Sequence, residues 1–296
     1  MEKLVIFCKS YKKDIYRARR MAESVQRFNC DGIQLIVCVS EEDLPLFESM
    51  LRDITCIFLK DEDVLEQCYK VYGRPPELFP KHLMQQLIKM EFWRMGLCDY
   101  YLWIDSDSYF LTPFSISSFF GEGNIPRLVM HKSLELRTFA QKHDQRIIEN
   151  LDKTINTIQG LFGRKGESFY FGDPPLLWSC SVMELMYYNF LEPKNISIFE
   201  LLYKYPCEMQ LYGEFCLATN SHKIIPTEPF FKVFHYLEQF CESQQKGESE
   251  YSISKNFLGV VMQSNWTNVK ERKKHDFKRF RKFLRNQRLK WGGLRW

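Results

Sequence analysis

At residues 101–107 the sequence reads Tyr101-Leu102-Trp103-Ile104-Asp105-Ser106-Asp107. The apolar part predicts a buried β-strand over residues 100–104, and two carboxylates follow directly where that strand ends. Because side chains alternate along an extended chain, Asp105 and Asp107 point to one side if the strand geometry continues. Two carboxylates at the C-terminal end of a strand suit a hard divalent cation, Mg²⁺ or Mn²⁺, that keeps positions open for diphosphate oxygens. The segment therefore predicts a cation site for a nucleotide ligand.

The residues before this segment alternate between strand-like and helix-like patterns. Strands are predicted at residues 4–8, 33–39 and 54–59, and amphipathic helices between them begin near Asp14, as a cap, and near Leu44. Continuously apolar strands joined by single helices predict parallel pairing through right-handed crossovers, with both sheet faces covered. The predicted fold class is therefore α/β, with a mostly parallel, Rossmann-like sheet flanked by helices. In such sheets ligands bind at the carboxyl ends of the strands, where the two carboxylates fall.

The second half of the chain has a less regular pattern. A helix is predicted over residues 81–95 after a proline-rich break, and the later segments are helices near 134–156, 183–191 and 207–219 and a strand at 258–262. No linker separates two domains. We therefore predict one catalytic domain over residues 1–265, with a nucleotide- and metal-binding half at 1–115 and an acceptor half at 116–265, followed by a tail at 266–296.

The tail is strongly basic. Residues 270–296 carry twelve Lys or Arg against Glu271 and Asp276, a net charge of +10, whereas the whole chain carries +4. Phe277, Phe280, Leu284 and Trp291 recur at helical spacing, which predicts a basic amphipathic helix on an anionic membrane surface. The alternative is a helix that packs on the protein body. A negatively charged body without a recognisable nucleic-acid module argues against nucleic acid as a partner.

Four segments together carry a resemblance to a known family. They are Ser10-Tyr11-Lys12 after the first strand, Glu42-Asp43-Leu44-Pro45-Leu46-Phe47 after the second, Gln85-Gln86-Leu87-Ile88-Lys89 on the helix, and residues 101–107. The ensemble resembles metal-dependent glycosyltransferases of the GT-A fold and, more closely, a bacterial family of predicted surface-polysaccharide glycosyltransferases. The resemblance covers residues 1–265 and is densest before residue 115. It implies transfer of a sugar from a nucleotide diphosphate donor to a glycan or lipid-linked glycan, with Mn²⁺ or Mg²⁺ as cofactor.

The resemblance also nominates donor-binding residues. It implies that Ser10 and Tyr11 meet the base and ribose, that Asp107 binds the metal, and that Asp105 is shared between metal and ribose. Gln85 and Lys89, one helical turn apart, could reach the donor phosphates or sugar. A surface tyrosine in a turn and a solvated helical face are the alternatives for Tyr11 and for the helix pair.

Three further candidate site residues lie near the end of the predicted domain. His235 is a candidate third metal ligand because its imidazole is neutral near pH 7, although a lone histidine among aromatics also suits a core position. Gln263 and Ser264, at the end of the late strand, could donate hydrogen bonds to the diphosphate. A turn that ends the strand is the alternative for this pair.

An inverting transfer needs a general base that deprotonates the acceptor hydroxyl. The segment 207–214 resembles the acidic acceptor-side helix of such enzymes, with Glu208 as the closer match and Glu214 in reserve. On a helix these two carboxylates are about 120° apart, so one of them is expected to face the cleft. Asp173, followed by Trp178 for stacking on a sugar, marks a candidate acceptor corner, and an ordinary Asp-Pro turn is the alternative.

Two rival functions remain at this level. A nucleotidyltransferase would ordinarily carry a glycine-rich phosphate loop after the first strand, where this chain has Lys9-Ser10-Tyr11-Lys12-Lys13. A catalytically silent glycan-binding or recruitment module would not need both Asp105 and Asp107. The sequence shows neither a secretory signal nor an apolar run near the twenty residues of a membrane span, which predicts a cytoplasmic protein peripheral to the inner membrane face.

Overall fold

The computed structural model describes residues 2–77 and 79–263 of the 296-residue chain. Ser264 and the predicted membrane-binding tail therefore lie outside the described residues. The strands are β1 (Glu2–Lys9), β2 (Gln34–Val39), β3 (Ile57–Lys60), β4 (Cys98–Trp103), β5 (Ser108–Phe110), β6 (Arg127–Val129), β7 (Leu176–Ser179), β8 (Ile225–Thr227), β9 (Phe231–Phe234) and β10 (Gly259–Met262). The α-helices are α1 (Ile15–Phe28), α2 (Leu44–Met50), α3 (Asp61–Tyr72), α4 (Lys81–Glu91), α5 (Leu134–His143), α6 (Arg146–Leu161), α7 (Cys180–Met186), α8 (Ile198–Lys204), α9 (Glu208–Thr219), α10 (Leu237–Gln245) and α11 (Glu250–Ile253).

The main sheet has five strands in the order β3-β2-β1-β4-β7. Strands β3, β2, β1 and β4 run parallel, and β7 is antiparallel to β4. Strand β1 lies in the middle, with Phe7 opposite Ile36 on one side and Trp103 on the other. Its residues from Leu4 onward are buried, as expected for a strand covered on both faces. The predicted α/β class with a mostly parallel sheet is confirmed.

Helices cover this sheet and connect its strands. Helix α1 packs against α2 and β5, α4 packs against β1, and α7 packs against β4. The predicted helix over residues 81–95 is present as α4 followed by a 3₁₀ turn at Phe92–Met95. Among residues 2–77 and 79–263, no helix combines the length and apolar character needed to cross a membrane.

A smaller three-stranded sheet brings the end of the described chain to the carboxylates. Its order is β5-β10-β9, with β10 antiparallel to β5 and parallel to β9. Strand β5 begins directly after Asp107, and the Met262 N–H donates a hydrogen bond to the Asp107 carbonyl at 2.9 Å. The end of β10, and with it Gln263, therefore lies beside the segment that carries Asp105 and Asp107.

Several element predictions need correction. The helix expected over residues 134–156 is two helices, because the backbone of Asp144 is extended and its side chain accepts a hydrogen bond from the Arg146 N–H at the start of α6. Asp14 precedes α1, but its side chain makes no capping hydrogen bond. It pairs with Arg17 instead, and Ser106 Oγ lies 3.4 Å from Asp14 Oδ2. This tertiary contact across the sheet edge replaces the cap.

Candidate functional site

A pocket of about 270 Å³ opens where β1 and β4 end. It is lined by residues from five parts of the chain: the loop after β1, helix α4, the segment after β4, the first turn of α9 and the end of β10. The predicted site residues that line it are Tyr11, Gln85, Lys89, Asp105, Asp107, Glu208 and Gln263. The structure thus gathers seven of the sequence-nominated side chains into one cleft at the carboxyl edge of the parallel sheet, where ligands bind in open α/β folds.

Asp105 and Asp107 occupy a tight turn between β4 and β5. The Ser108 N–H donates to the Asp105 carbonyl at 3.1 Å, which turns the chain from one sheet into the other. The Asp107 residue is buried, whereas the Asp105 side chain is 32% exposed toward the pocket. The hydroxyl of Ser106, which lies between them in the sequence, contacts the carboxylate of Asp14. Both carboxyl-bearing residues line the same pocket, but the chain turns here and does not continue as the extended strand that the prediction assumed.

Lys89 projects from α4 between two carboxylates. Its Nζ lies 2.8 Å from Asp105 Oδ1 and 3.6 Å from Glu208 Oε1, and the ammonium also lies 3.9 Å from the centroid of the Trp103 ring. Burial alone would lower the pKa of this ammonium, but the two carboxylates outweigh burial and raise it above its usual value. Lys89 is therefore a charged group fixed in the wall of the pocket, and not part of a solvated helical face.

Glu208 is the first residue of α9 and faces Lys89. Its side chain is 7% exposed, and burial raises the pKa of the carboxyl, although the charge of Lys89 opposes that shift. A carboxylate with a raised pKa at the wall of a pocket is a better proton acceptor than a solvated one. Glu208 therefore brings a carboxyl group with a raised pKa to the wall of the pocket.

Glu214 lies on the same helix but serves another contact. Its side chain is fully buried, and both of its carboxylate oxygens are held by the guanidinium of Arg164, with Arg164 Nη2 to Oε1 at 2.9 Å. Gln210 Nε2 donates a third hydrogen bond at 3.2 Å. Of the two glutamates on α9, the structure brings Glu208 to the pocket and buries Glu214 in an ion pair outside its lining.

Asp173 and His235 contact each other and are not among the residues that line the pocket. His235 Nε2 lies 3.5 Å from Asp173 Oδ2. Burial would raise the pKa of Asp173 and lower that of His235, but the opposite charges reverse both shifts. His235 follows Phe234, and Phe234 is the β9 partner of Met262 in β10. His235 is therefore expected beside Gln263, with β10 between His235 and the segment that carries Asp107. The predicted ligand set of Asp105, Asp107 and His235 is not assembled among the described residues, and the raised pKa of His235 opposes the neutral imidazole on which that prediction rests. A catalytic role for Asp173 stays a prediction.

Two nominated residues have other surroundings than expected. Ser10 is buried, and its N–H donates to the Cys38 carbonyl at 2.9 Å. Ser10 does not line the pocket, whereas the adjacent Tyr11 does. Trp178 is fully buried in β7 and stacks on the Tyr212 ring with centroids 4.9 Å apart. The prediction that Trp178 stacks on an acceptor sugar was wrong, because the antiparallel β7 turns this side chain into the core.

The pocket also contains residues that the sequence analysis missed: Lys9, Asp14, His82, Gln86 and Ser106. Lys9 ends the apolar strand β1, and its Nζ lies 2.9 Å from Asp61 Oδ2. A lysine that closes a buried strand was a usable signal, because a buried ammonium needs a carboxylate partner. For Asp14 the signal is ambiguous, because an acidic residue before a helix also predicts a helix cap. His82 and Gln86 carried no signal beyond their place on α4.

The residues of the pocket fit a divalent cation that binds together with phosphate. Among residues 2–77 and 79–263 no group of three or more His, Cys, Asp or Glu is arranged to hold a metal ion by itself. Mg²⁺, however, usually binds through one or two carboxylates plus substrate phosphates, and Asp105 and Asp107 supply two. With Asp14 and Glu208 the lining contains four carboxylates in all, but it contains only two ammonium groups, those of Lys9 and Lys89. This surplus of negative charge favours a cation.

Comparison with known proteins supports the fold. No protein-family model matches the sequence, and no curated protein matches it. The structure is similar to the crystal structure of mouse xyloside xylosyltransferase 1 in its apo form, with a TM-score of 0.51 and 10% sequence identity over 89% of this chain and 98% of that chain. At this identity the likeness shows the fold alone, which is that of a glycosyltransferase.

Proposed function

We propose that the chain is a metal-dependent glycosyltransferase that moves a sugar from a nucleotide diphosphate donor to an acceptor hydroxyl. One observation carries the proposal. In a fold shared with a xylosyltransferase, the paired carboxylates Asp105 and Asp107, the buried ammonium of Lys89 and the buried carboxylate of Glu208 line one pocket at the carboxyl edge of the sheet. These groups supply a cation site, a positive charge and a base, which are the requirements of sugar transfer from a diphosphate leaving group.

The donor end of the pocket is assigned to the loop after β1 and the end of β10. Tyr11 stacks on the base, and Gln85 and Gln263 donate hydrogen bonds to the diphosphate or the sugar. Asp107 and Asp105 would hold Mn²⁺ or Mg²⁺, and when bound the cation neutralises charge on the leaving diphosphate.

The balance of charge in the pocket supports metal dependence. Four carboxylates face two ammonium groups in the lining, so an anionic diphosphate entering alone meets a net negative surface. Like charges within a few ångströms repel by several kcal/mol at an effective dielectric constant of about 20. Donor binding is therefore expected to require a cation that offsets this repulsion.

Glu208 is the proposed base of an inverting reaction. It takes the proton of the acceptor hydroxyl while that oxygen attacks the anomeric carbon and the bond to the diphosphate breaks. Its buried position and raised pKa support this role. Asp173, paired with His235, is assigned to the acceptor side.

The setting of the reaction follows from the resemblance and the tail. We propose a bacterial surface glycan or its lipid-linked precursor as the acceptor, and a peripheral position at the cytoplasmic face of the inner membrane. The net charge of +10 over residues 270–296 supports attachment to anionic lipid.

A panel of nucleotide sugars tests the proposal without knowledge of the acceptor. The full chain is incubated with each donor and Mn²⁺, and slow hydrolysis of one donor to free sugar and nucleoside diphosphate is the expected result. Asp107→Ala should abolish both the hydrolysis and the Mn²⁺-dependent binding of that nucleotide while its thermal melt stays cooperative. Equal nucleotide affinity in the variant and the parent protein contradicts the cation site.

The same panel separates the rival functions. Release of pyrophosphate from a nucleoside triphosphate and a sugar phosphate would identify a nucleotidyltransferase. Binding of a glycan with no turnover of any donor would identify a silent binding module.

A further inference from the structure

Lys89 is built into the wall of the pocket. Its side chain is 7% exposed, and its ammonium contacts the carboxylate of Asp105 at 2.8 Å and the face of Trp103 at 3.9 Å. The Tyr101 hydroxyl donates to the Lys89 carbonyl at 2.9 Å, which fixes the turn of α4 that carries it. This is a charge-assisted contact in which Lys89 is buried and Asp105 is partly exposed to the pocket.

The contact uses the same carboxylate that a cation would use. A divalent ion that binds Asp105 either replaces the ammonium or lies next to it, and both are unfavourable where solvent screening is weak. Glu208, whose Oε1 lies 3.6 Å from Lys89 Nζ, offers the ammonium a second buried partner. Lys89 can therefore remain paired after Asp105 turns toward a cation, but the cation still meets a nearby positive charge.

We propose that Lys89 suppresses the binding of free divalent cations at Asp105 and Asp107 and thereby couples cation binding to the arrival of a nucleoside diphosphate. The inference rests on the proposed function, because it takes these two aspartates as cation ligands. A bound diphosphate brings negative charge to both Lys89 and the cation and removes the repulsion between them. Because coupling between two ligands is reciprocal, the cation strengthens nucleotide binding by the same factor.

Titration with Mn²⁺ alone tests the first half of this proposal. The electron paramagnetic resonance signal of free Mn²⁺ reports the dissociation constant for the full chain and for Lys89→Met, which keeps an unbranched apolar stem against Trp103. Lys89→Met is expected to bind Mn²⁺ at least tenfold more tightly, which corresponds to about 1.4 kcal/mol. Lys81→Met is the matched control, because Lys81 is exposed at the start of the same helix and its loss changes the net charge equally. Equal Mn²⁺ affinity in Lys89→Met and the parent protein overturns the proposal.

A second variant is expected to change the affinity for Mn²⁺ in the opposite direction. Glu208→Gln removes the alternative partner of Lys89 and leaves the ammonium on Asp105, so the affinity for Mn²⁺ is expected to fall severalfold. If Lys89→Met does not melt cooperatively, Lys89→Gln replaces it in the titration with the same expected gain. A gain in Mn²⁺ affinity in Glu208→Gln would contradict the inferred competition between the ammonium and the cation.

Nucleotide separates the failure of this inference from failure of the proposed function. Uridine, cytidine, adenosine and guanosine diphosphates are added separately to the Mn²⁺ titration. The one that binds is expected to tighten Mn²⁺ binding at least tenfold in the parent protein and much less in Lys89→Met. An equal enhancement in both proteins overturns the inference and leaves the proposed function standing. Absence of nucleotide binding to the parent protein refutes the proposed function, while the titration with Mn²⁺ alone still decides the role of Lys89.

Discussion

Replacement of the two glutamates of α9 by glutamine is expected to separate stability from catalysis. Glu214→Gln removes one charge of a buried ion pair in which Arg164 holds both carboxylate oxygens. Glu208→Gln removes a carboxylate that lines the pocket and lies 3.6 Å from Lys89. Both substitutions keep the volume of the side chain, so the difference between them reports on charge and hydrogen bonding.

The magnitude for Glu214→Gln follows from its surroundings. Removal of one partner from a buried ion pair costs about 3–5 kcal/mol. The Arg164 side chain is 11% exposed and also donates to the Glu167 carbonyl at 2.7 Å, so its charge keeps one partner and the lower end, about 3 kcal/mol, applies. In domains of about 150–250 residues, each kcal/mol shifts the melting temperature by roughly 2–4 °C, so the loss of about 3 kcal/mol should lower it by about 6–12 °C.

Glu208→Gln is expected to change stability little and rate greatly. Burial disfavours the ionised form of Glu208, so a neutral amide removes that cost while Lys89 keeps its contact with Asp105. The free energy of unfolding should stay within about 1 kcal/mol of the parent value, since the loss and the gain oppose each other. Loss of a general base lowers the rate by about 10² to 10⁴.

The assays are unfolding in guanidinium chloride followed by circular dichroism, and transfer measured with the donor that the panel identifies. Binding of that donor at saturating Mn²⁺ is the control, because it should survive in Glu208→Gln. A Glu214→Gln variant that retains parental stability would refute the calculation from the ion pair. Loss of transfer in a fully stable Glu214→Gln variant would move the base from Glu208 to Glu214.

Two further perturbations test parts of the chain outside α9. Burial raises the pKa of the Glu91 carboxyl from 4.5 to about 7, although the charge of Arg94 opposes this shift. The folded state therefore binds the proton more tightly than the unfolded state. As a result, the free energy of unfolding falls as pH rises from about 4.5 to 7. Glu91→Gln should flatten this part of the curve of unfolding free energy, measured in urea between pH 4.5 and 8, and an unchanged slope would contradict the assignment. Deletion of residues 270–296 should release the protein from anionic vesicles at low salt without altering donor hydrolysis, because each Lys or Arg contributes about 1 kcal/mol near such a surface. A lowered melting temperature of the truncated chain, with no vesicle binding by the full chain, would favour a tail that packs on the body.

The main sheet was predictable because its strands are buried on both faces. Such strands appear in the sequence as unbroken apolar runs, and single amphipathic helices between them leave parallel crossovers as the economical connection. The antiparallel β7 was not predictable in this way, because its partner β4 is distant in sequence and several other elements lie between the two strands. The break at Asp144 depends on one extended residue, which helical periodicity does not reveal.

The site was predictable where chemistry follows directly from a strand end. Asp105 and Asp107 come after β4, and Lys89 and Gln85 share a face of the helix that precedes it, so local pattern and fold class together placed them in one cleft. The resemblance favoured Glu208 over Glu214, but helical spacing alone could not decide between them, because the decision depends on Arg164, which approaches Glu214 from a different segment. The contact between Asp173 and His235 likewise joins two segments whose sequences carry no signal of each other.

The buried charges of the pocket are poorly explained by stability. Lys89 and Glu208 are each 7% exposed and, unlike the buried pair of Arg164 and Glu214, they line the pocket at the end of the sheet. Buried ion pairs are often no more stabilising than apolar residues of the same size, because desolvation offsets most of their attraction. A fold that needed only packing would gain nothing from placing these charges where the strands end. Under the proposed function, a cation with a diphosphate gives their placement beside Asp105 and Asp107 a role. A silent module whose ligand is a neutral glycan leaves the same charges without a reason.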